Sequence, residues 1–166
     1  MRDKNTSQIG ESANAPLQRE PRPTHRILVV DDDRDIRRFA AQALVGSGFH
    51  VDAAEDGAIA WETLQLNSYD LLITDNNMPK LTGVELVKKL RSARMALPVI
   101  MATGKLPAKE LAQNPLLQLA AILPKPFSFE ELLGTVKEVL HATDGTGRQI
   151  SPPDWQGQPL PNGLRL

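Results

Sequence analysis

The stretch that decides the fold is Ile27-Leu-Val-Val-Asp-Asp-Asp33, in which an unbroken apolar run leads directly into aspartates. An apolar run without polar alternation is typical of a strand covered on both faces, as in a parallel sheet between two layers of helices. A second apolar run, Leu71-Leu-Ile73, is followed by Thr74 and then by Asp75. Both runs therefore predict buried parallel strands, and each delivers a carboxylate at its end.

Apolar runs and amphipathic stretches alternate on both sides of this segment. The predicted strands are Ile27–Val30, His50–Ala54, Leu71–Thr74, Pro98–Ala102 and Ala121–Leu123. The predicted helices are Asp35–Gly46, Ala58–Asn67, Gly83–Arg94, a broken one over Pro107–Leu119, and Phe129–Ala142. Strand–helix units joined by right-handed crossovers predict a doubly wound α/β fold with a five-stranded parallel sheet in a single domain.

Local signals mark several helix ends. Asp33 or Asp35 is favoured as the N-cap of the first helix, because a carboxylate there accepts hydrogen bonds from free backbone N–H groups. Ser128 and Glu131 have the spacing of a capping box at the start of the last helix. Pro115 lacks a backbone N–H and clashes with the preceding turn, so the fourth helix is predicted to break just before it.

The composition argues against several classes of protein. The chain has 166 residues, 41% of them hydrophobic, with a formal net charge of -1 and no cysteine. The nearly balanced charge argues against a nucleic-acid or membrane partner, and the missing cysteines exclude disulfides and thiolate metal sites. Because the first residues lack the apolar segment of a secretory signal and no apolar run reaches about 18 residues, a cytoplasmic location is expected.

Proline, glycine and polar residues dominate both ends of the chain. Neither end has an apolar periodicity that could offset the entropy of ordering, so residues 1–24 and 143–166 are predicted to be disordered tails. The folded unit is predicted to be one domain over residues 25–142, an ordinary size for a single domain.

Polar side chains follow four of the five predicted strands. The first strand ends in Asp31 and Asp32, the third in Asp75, the fourth in Thr103 and the fifth in Lys125. Ligands of open parallel sheets bind beyond the carboxyl ends of the strands, so these side chains are expected to converge. Clustered carboxylates repel one another unless a cation lies among them, and an oxygen-only ligand set favours Mg²⁺. A nearby lysine favours an anionic phosphoryl group.

These segments resemble the response-regulator receiver domain, the CheY-like family of two-component signalling. The resemblance covers essentially all of residues 25–142 and implies a flavodoxin-like fold with strand order 2-1-3-4-5. The matching motifs are Ile27-Leu-Val-Val-Asp-Asp-Asp33, Tyr69-Asp-Leu-Leu-Ile-Thr-Asp75, Asn77-Met-Pro79 with Gly83, Pro98-Val-Ile-Met-Ala-Thr-Gly104, and Lys125-Pro-Phe127.

The resemblance implies which residues accept phosphate and bind metal. Asp75 would be the phosphoacceptor, taking the phosphoryl group from a phosphohistidine of a histidine kinase or phosphotransfer protein. Asp32 would bind Mg²⁺ directly, Asp31 would act through water, and Asp75 and the backbone carbonyl of Asn77 would complete the protein's ligands.

The resemblance also implies two residues that contact the phosphoryl group. Lys125 would pair with its oxygens, and Thr103 would hydrogen-bond to it after transfer. The peptide bond before Pro126 would be cis, which would direct Lys125 inward. One departure stands out: the family has an aromatic switch residue three positions before the lysine, where this chain has Ile122. The usual coupling of Thr103 to an aromatic ring is therefore in doubt.

Taken together, these features predict a stand-alone switch controlled by phosphorylation, a signalling phosphoacceptor rather than an enzyme. Its output would pass through contacts with a downstream protein or through a phosphorelay, because too little chain follows residue 142 for a DNA-binding unit. Ile122 and Pro115 motivate an alternative, a constitutive protein-binding module whose output does not depend on phosphorylation. A hydrolase with an aspartyl-phosphate intermediate is disfavoured, since no cap insertion is present.

Two surface questions stay open at the level of sequence. The leucines around the broken helix either fill the core or form a partner-binding surface; they are Leu106, Leu111, Leu116, Leu117 and Leu119. The arginines Arg34, Arg37 and Arg38 at the start of the first helix either help to dock a kinase or form a solvated face.

Overall fold

The computed structural model describes residues 24–144. Residues 1–23 and 145–166, which hold nearly all of the two predicted tails, lie outside the described residues. The strands are β1 (Arg26–Val30), β2 (His50–Ala54), β3 (Leu71–Thr74), β4 (Val99–Thr103) and β5 (Ala121–Pro124). The helices are α1 (Arg34–Gly46), α2 (Gly57–Leu66), α3 (Gly83–Ser92), α4 (Ala108–Gln113) and α5 (Phe129–Asp144), with a 3₁₀ turn at Pro115–Leu117.

All five strands are parallel and follow the order β2-β1-β3-β4-β5, which confirms the predicted fold class. Successive residues of a strand point to opposite faces, so each central strand contributes to two separate cores. In β1, Leu28 and Val30 pack with α2 and α3, whereas Ile27 and Val29 pack with α1 and α5. This double burial explains why residues 27–30 of β1 and 71–73 of β3 are all apolar.

The predicted caps form. Asp33 is the N-cap of α1, where its carboxylate accepts hydrogen bonds from the backbone N–H groups of Asp35 and Ile36. Ser128 and Glu131 make the reciprocal bonds of a capping box at the start of α5. These side chains satisfy backbone donors that a helix end otherwise leaves free.

The fourth helix ends at Gln113, and the chain continues as the 3₁₀ turn that Pro115 begins. The break lies where the proline predicts it. Leu117 and Leu119 are buried in the core and Leu111 packs against it, whereas Leu116 is 76% exposed. The core interpretation therefore holds for these three leucines and fails for Leu116.

The two ends of the described segment meet at the amino edge of the sheet. His25 precedes β1 and Asp144 ends α5, and the two residues are brought together with His25 Nε2 3.1 Å from Asp144 Oδ2. This edge lies opposite the one at which the strands end in aspartate, threonine and lysine. No helix within residues 24–144 is long and apolar enough to cross a membrane.

Candidate functional site

Three aspartates meet at the carboxyl edge of the sheet. Asp31 and Asp32 follow β1 and Asp75 follows β3; because Val30 pairs with Thr74 in the register, Asp31 and Asp75 leave the sheet side by side. One carboxylate oxygen from each aspartate lies within 4.8 Å of the others. Asp31 and Asp75 are buried and Asp32 is exposed, so the cluster opens to solvent on the Asp32 side.

Lys125 reaches this cluster from the end of β5. Its Nζ atom lies 2.6 Å from Asp31 Oδ2 and 3.5 Å from Asp75 Oδ2. Burial raises the pKa of the Asp31 carboxyl above its usual value, and the hydrogen bond from Lys125 opposes that rise. One ammonium facing three carboxylates leaves the cluster acidic and able to attract a further cation. The Lys125–Pro126 peptide bond is cis, as expected.

Thr103 ends β4 at the same edge and is buried. Its hydroxyl donates to the backbone carbonyl of Lys105 at 3.1 Å, and it accepts from the backbone N–H of Lys105 at 3.4 Å. The hydroxyl is thus held by the loop that follows β4 rather than by the aspartates. The backbone of Thr103 accepts from the N–H of Lys125 at 3.0 Å, which ties the two strand ends together.

Asn77 lies two residues beyond Asp75 and is exposed. The residue that shapes this loop is its neighbour Asn76, which the sequence reasoning did not single out. The Asn76 backbone N–H donates to Asp75 Oδ1 at 2.7 Å, and its side-chain oxygen accepts from the backbone N–H of Val84 at 3.0 Å. Asn76 therefore connects the Asp75 carboxylate to the first turn of α3.

A second contact in this loop also went unpredicted. Asp56 is buried at the start of α2, where it accepts from the backbone N–H of Ile59, and its carboxylate pairs with the Lys80 ammonium. That pair holds the loop after β3 against α2. Asp56 and Lys80 are 24 positions apart in the sequence, and no local pattern predicts that they pair. Their contact depends on how the loops before α2 and after β3 pack in the fold.

Ile122 occupies the position at which the resemblance leads one to expect an aromatic ring. It lies on β5 and packs, partly buried, against the core cluster shared with α2 and α3. An isoleucine side chain fills this position without offering a ring that could swing between a buried and an exposed rotamer.

The donor set of the cluster fits a hard divalent cation. It consists of carboxylate oxygens, the ligands that Mg²⁺ uses in proteins, with no sulfur or imidazole among the three clustered side chains. The exposed Asp32 leaves room for water and for an incoming anion, and the Lys125 ammonium supplies a compact positive charge for that anion.

The chain belongs to the response-regulator receiver family: the model of the response regulator receiver domain matches residues 27–137. Members of this family are signalling phosphoacceptors of two-component systems. The family resemblance carried by the motifs and the predicted fold class are thus confirmed.

Curated relatives and solved structures agree with this assignment. The response regulator MprA of Mycobacterium sp. (strain KMS) is 36% identical over 127 residues, which are 76% of this chain and 55% of that protein. The chemotaxis response regulator CheY4 of Vibrio cholerae superposes with a TM-score of 0.64 at 33% identity, covering 70% of this chain and 98% of that one. The response regulator TrrA of Thermotoga maritima, solved in complex with Mg²⁺-BeF, gives 0.63 at 30% identity over 70% of this chain and 99% of that one. The chain spans about half the length of the curated relatives it matches.

Proposed function

We propose that this receiver domain accepts a phosphoryl group on Asp75, with Mg²⁺ bound among Asp31, Asp32, Asp75 and the carbonyl of Asn77. The observation that carries the proposal is the convergence of three carboxylates and the Lys125 ammonium at one edge of the sheet. The Mg²⁺-BeF complex of the Thermotoga maritima relative supports the same pairing of a metal with a phosphoryl-like group.

In the proposed reaction, a carboxylate oxygen of Asp75 attacks the phosphorus of a phosphohistidine on a histidine kinase or phosphotransfer protein. A P–O bond forms as the P–N bond breaks, and the electron pair leaves on the imidazole nitrogen. Lys125, already 3.5 Å from Asp75 Oδ2, is placed to pair with the phosphoryl oxygens. Thr103 can donate its hydroxyl to them only after exchanging its present bond to Lys105.

When bound, Mg²⁺ supplies charge that neutralises the phosphoryl oxygens during transfer. The chain's own residues do the positioning. Asp31 and Asp32 lie together just after β1. The backbone N–H of Asn76 donates to the Asp75 carboxylate and holds it in place. Such positioning provides most of the catalysis in phosphoryl transfer, since little covalent chemistry is left to the protein.

The test uses the full chain, acetyl phosphate and Mg²⁺, with intact mass as the readout. We expect wild type to gain the mass of one phosphoryl group and Asp75→Asn to gain none, because the amide is a poor nucleophile at phosphorus. Asp35→Asn, which changes an exposed acid of α1 outside the cluster, is the matched control and should behave as wild type. Equal uptake by wild type and Asp75→Asn would contradict the proposal.

A second candidate, a constitutive binding module, is favoured by Ile122 and by the bond that holds Thr103 to Lys105. It predicts that Mg²⁺ and beryllofluoride bind at the cluster without altering amide hydrogen exchange in α4 and β5. A phosphorylation switch predicts altered exchange in those elements. The two functions are separated by this one measurement.

The expectations of a stand-alone protein, of output through a downstream protein or a phosphorelay, and of no nucleic-acid partner stay predictions. The chain matches only about half of the length of its curated relatives. Output and partners are properties of a whole protein, whereas the structure describes the receiver domain.

A further inference from the structure

We propose that Arg37 is a positioning residue for the metal-binding aspartates. Its guanidinium holds the backbone of the short loop between β1 and α1 that carries Asp31 and Asp32. The inference rests on the proposed function, since it assigns Arg37 to the Mg²⁺ site proposed there.

The guanidinium contacts the backbone of both aspartates. Arg37 Nη1 donates to the carbonyl oxygen of Asp31 at 2.6 Å and lies 3.4 Å from that of Asp32. A hydrogen bond from a charged donor at the shorter distance is stronger than one between neutral groups. One side chain thus fixes the peptide groups from which both carboxylates extend.

The loop needs such a donor because its own groups are already committed. The backbone N–H of Asp31 donates to the carbonyl of Ala54 at 3.3 Å, and the backbone N–H of Asp33 donates to the Asp31 carboxylate at 3.0 Å. Asp31 is 3% exposed and β1 ends at Val30, so its carbonyl lies beyond the strand while most of the residue is shielded from water. A buried carbonyl without a partner destabilises its conformation, and Arg37 supplies the partner.

Arg37 is well placed to act as a fixed support. It lies in the first turn of α1, where its backbone N–H donates to the carbonyl of Asp33 at 2.9 Å. Its neighbours Arg34 and Arg38 are exposed, whereas Arg37 is half-buried against the loop. The three arginines therefore separate into Arg37, which faces the loop, and two residues on the solvent face.

If Arg37 acts by positioning, its loss should weaken Mg²⁺ binding; if it acts only through its charge, its loss should strengthen Mg²⁺ binding. The guanidinium is a cation near a site for a dication, so removing its charge alone would strengthen Mg²⁺ binding. Removing its hydrogen bonds frees the loop, and loss of a group that orients metal ligands weakens binding about tenfold or more. The direction of the change thus identifies the cause.

The experiment is isothermal titration of the full chain with Mg²⁺ at fixed ionic strength, without any phosphodonor or kinase. Arg37→Gln removes the charge and shortens the side chain by two bonds, so the amide no longer reaches the Asp31 carbonyl. Arg38→Gln removes the same charge from the exposed face of the same helix and is the matched control. Arg37→Lys keeps both a charge and a donor. Circular dichroism and urea unfolding without Mg²⁺ establish that each variant is folded at the titration temperature.

We expect the Mg²⁺ dissociation constant of Arg37→Gln to rise about tenfold, that of Arg38→Gln to stay within about twofold, and Arg37→Lys to recover part of the loss. An unchanged or tighter Mg²⁺ affinity in Arg37→Gln would overturn the inference. If wild type binds Mg²⁺ and takes up phosphate but the two glutamine variants behave alike, only this inference fails. If wild type itself does neither, it is the proposed function that fails.

Discussion

At the scale of a single residue, Gly83 lies directly against the backbone of Asp75 and Asn76. A Cβ atom built there would lie 2.2 Å from the Asp75 carbonyl oxygen and 3.0 Å from the Asn76 Cα atom. Both neighbours are backbone atoms, which cannot rotate away as a side chain would. The first residue of α3 must therefore be glycine for the loop after Asp75 to pack as it does.

We predict that Gly83→Ala lowers the free energy of unfolding by about 1–3 kcal/mol, the usual range for overpacking. It should also slow phosphoryl uptake, because the displaced atoms belong to Asp75 and Asn76. Urea unfolding and the intact-mass assay measure the two effects. Gly134→Ala is the control: nothing lies within 4 Å of its added Cβ, and alanine is favoured inside α5, so it should stabilise by up to about 1 kcal/mol. Equal stability of the two variants would contradict this account of Gly83.

The residues that the sequence could predict are those that follow strands. The sequence predicts that Asp31, Asp32, Asp75 and Lys125 lie together, because the ends of parallel strands share an edge. Arg37 could be noticed as a charge but not as a donor to Asp31, since its direction depends on how α1 packs. The Asp56–Lys80 pair has no local signal at all, because two loops from different parts of the chain form it.

At the scale of elements, the amino ends of the first three strands are joined by one polar network. The Arg26 guanidinium of β1 pairs with Asp52 of β2 and lies 4.9 Å from the ring centre of Tyr69, just before β3. The Tyr69 hydroxyl donates to Asp52 Oδ2 at 2.8 Å. Burial and this neighbouring carboxylate raise the pKa of Tyr69 to about 12.

This network predicts a loss of stability at high pH. The pKa of Tyr69 is raised in the folded state from 10.0 to about 12. The stabilisation that this shift adds to the free energy of unfolding is therefore complete below pH 10 and is lost as the pH rises toward 12. Tyr69 is the chain's single tyrosine, so ultraviolet absorbance of tyrosinate follows it directly. We expect a midpoint near 12 in native protein and near 10 in concentrated urea.

Asp52→Asn is the informative variant for this titration. It removes the carboxylate that the phenolate would face but leaves the ring buried, so the native midpoint should fall part of the way from about 12 toward 10 while circular dichroism still reports a folded chain. A native midpoint near 10 in wild type would mean that Tyr69 is neither buried nor bonded to Asp52 in solution.

The elements themselves were predictable to within a few residues, because each carries its own pattern. Alternation of buried runs with amphipathic stretches defined the strands, and Pro115 located the end of α4. The exposure of Leu116 was not predictable, since a 3₁₀ turn directs its side chains differently from the helix that the leucine spacing suggested.

At the scale of the whole molecule, the acidic cluster couples metal binding to stability. Folding brings Asp75 against the neighbouring pair Asp31 and Asp32, and the three carboxylates repel one another. Unfolding separates Asp75 from that pair, so a cation that binds only the folded form stabilises it. We predict that Mg²⁺ at ten times its dissociation constant raises the free energy of unfolding by about 1.4 kcal/mol.

Thermal unfolding with and without Mg²⁺ measures this effect as a shift of several degrees for a domain of this size. Asp32→Asn should lose most of the shift, because it removes the exposed ligand of the cluster, whereas Asp35→Asn should keep it. A shift of the same size in both variants would place Mg²⁺ elsewhere on the surface.

The pairing of His25 with Asp144 bears on how this domain can be rearranged. His25 and Asp144 are within reach of a connector of a few residues, so residues 25–144 can be joined into a ring and reopened at another surface loop with the strand order unchanged. Fluorophores or affinity tags attached beside either residue would lie at the opposite edge of the sheet from the aspartates. They would therefore not obstruct access to the acidic cluster.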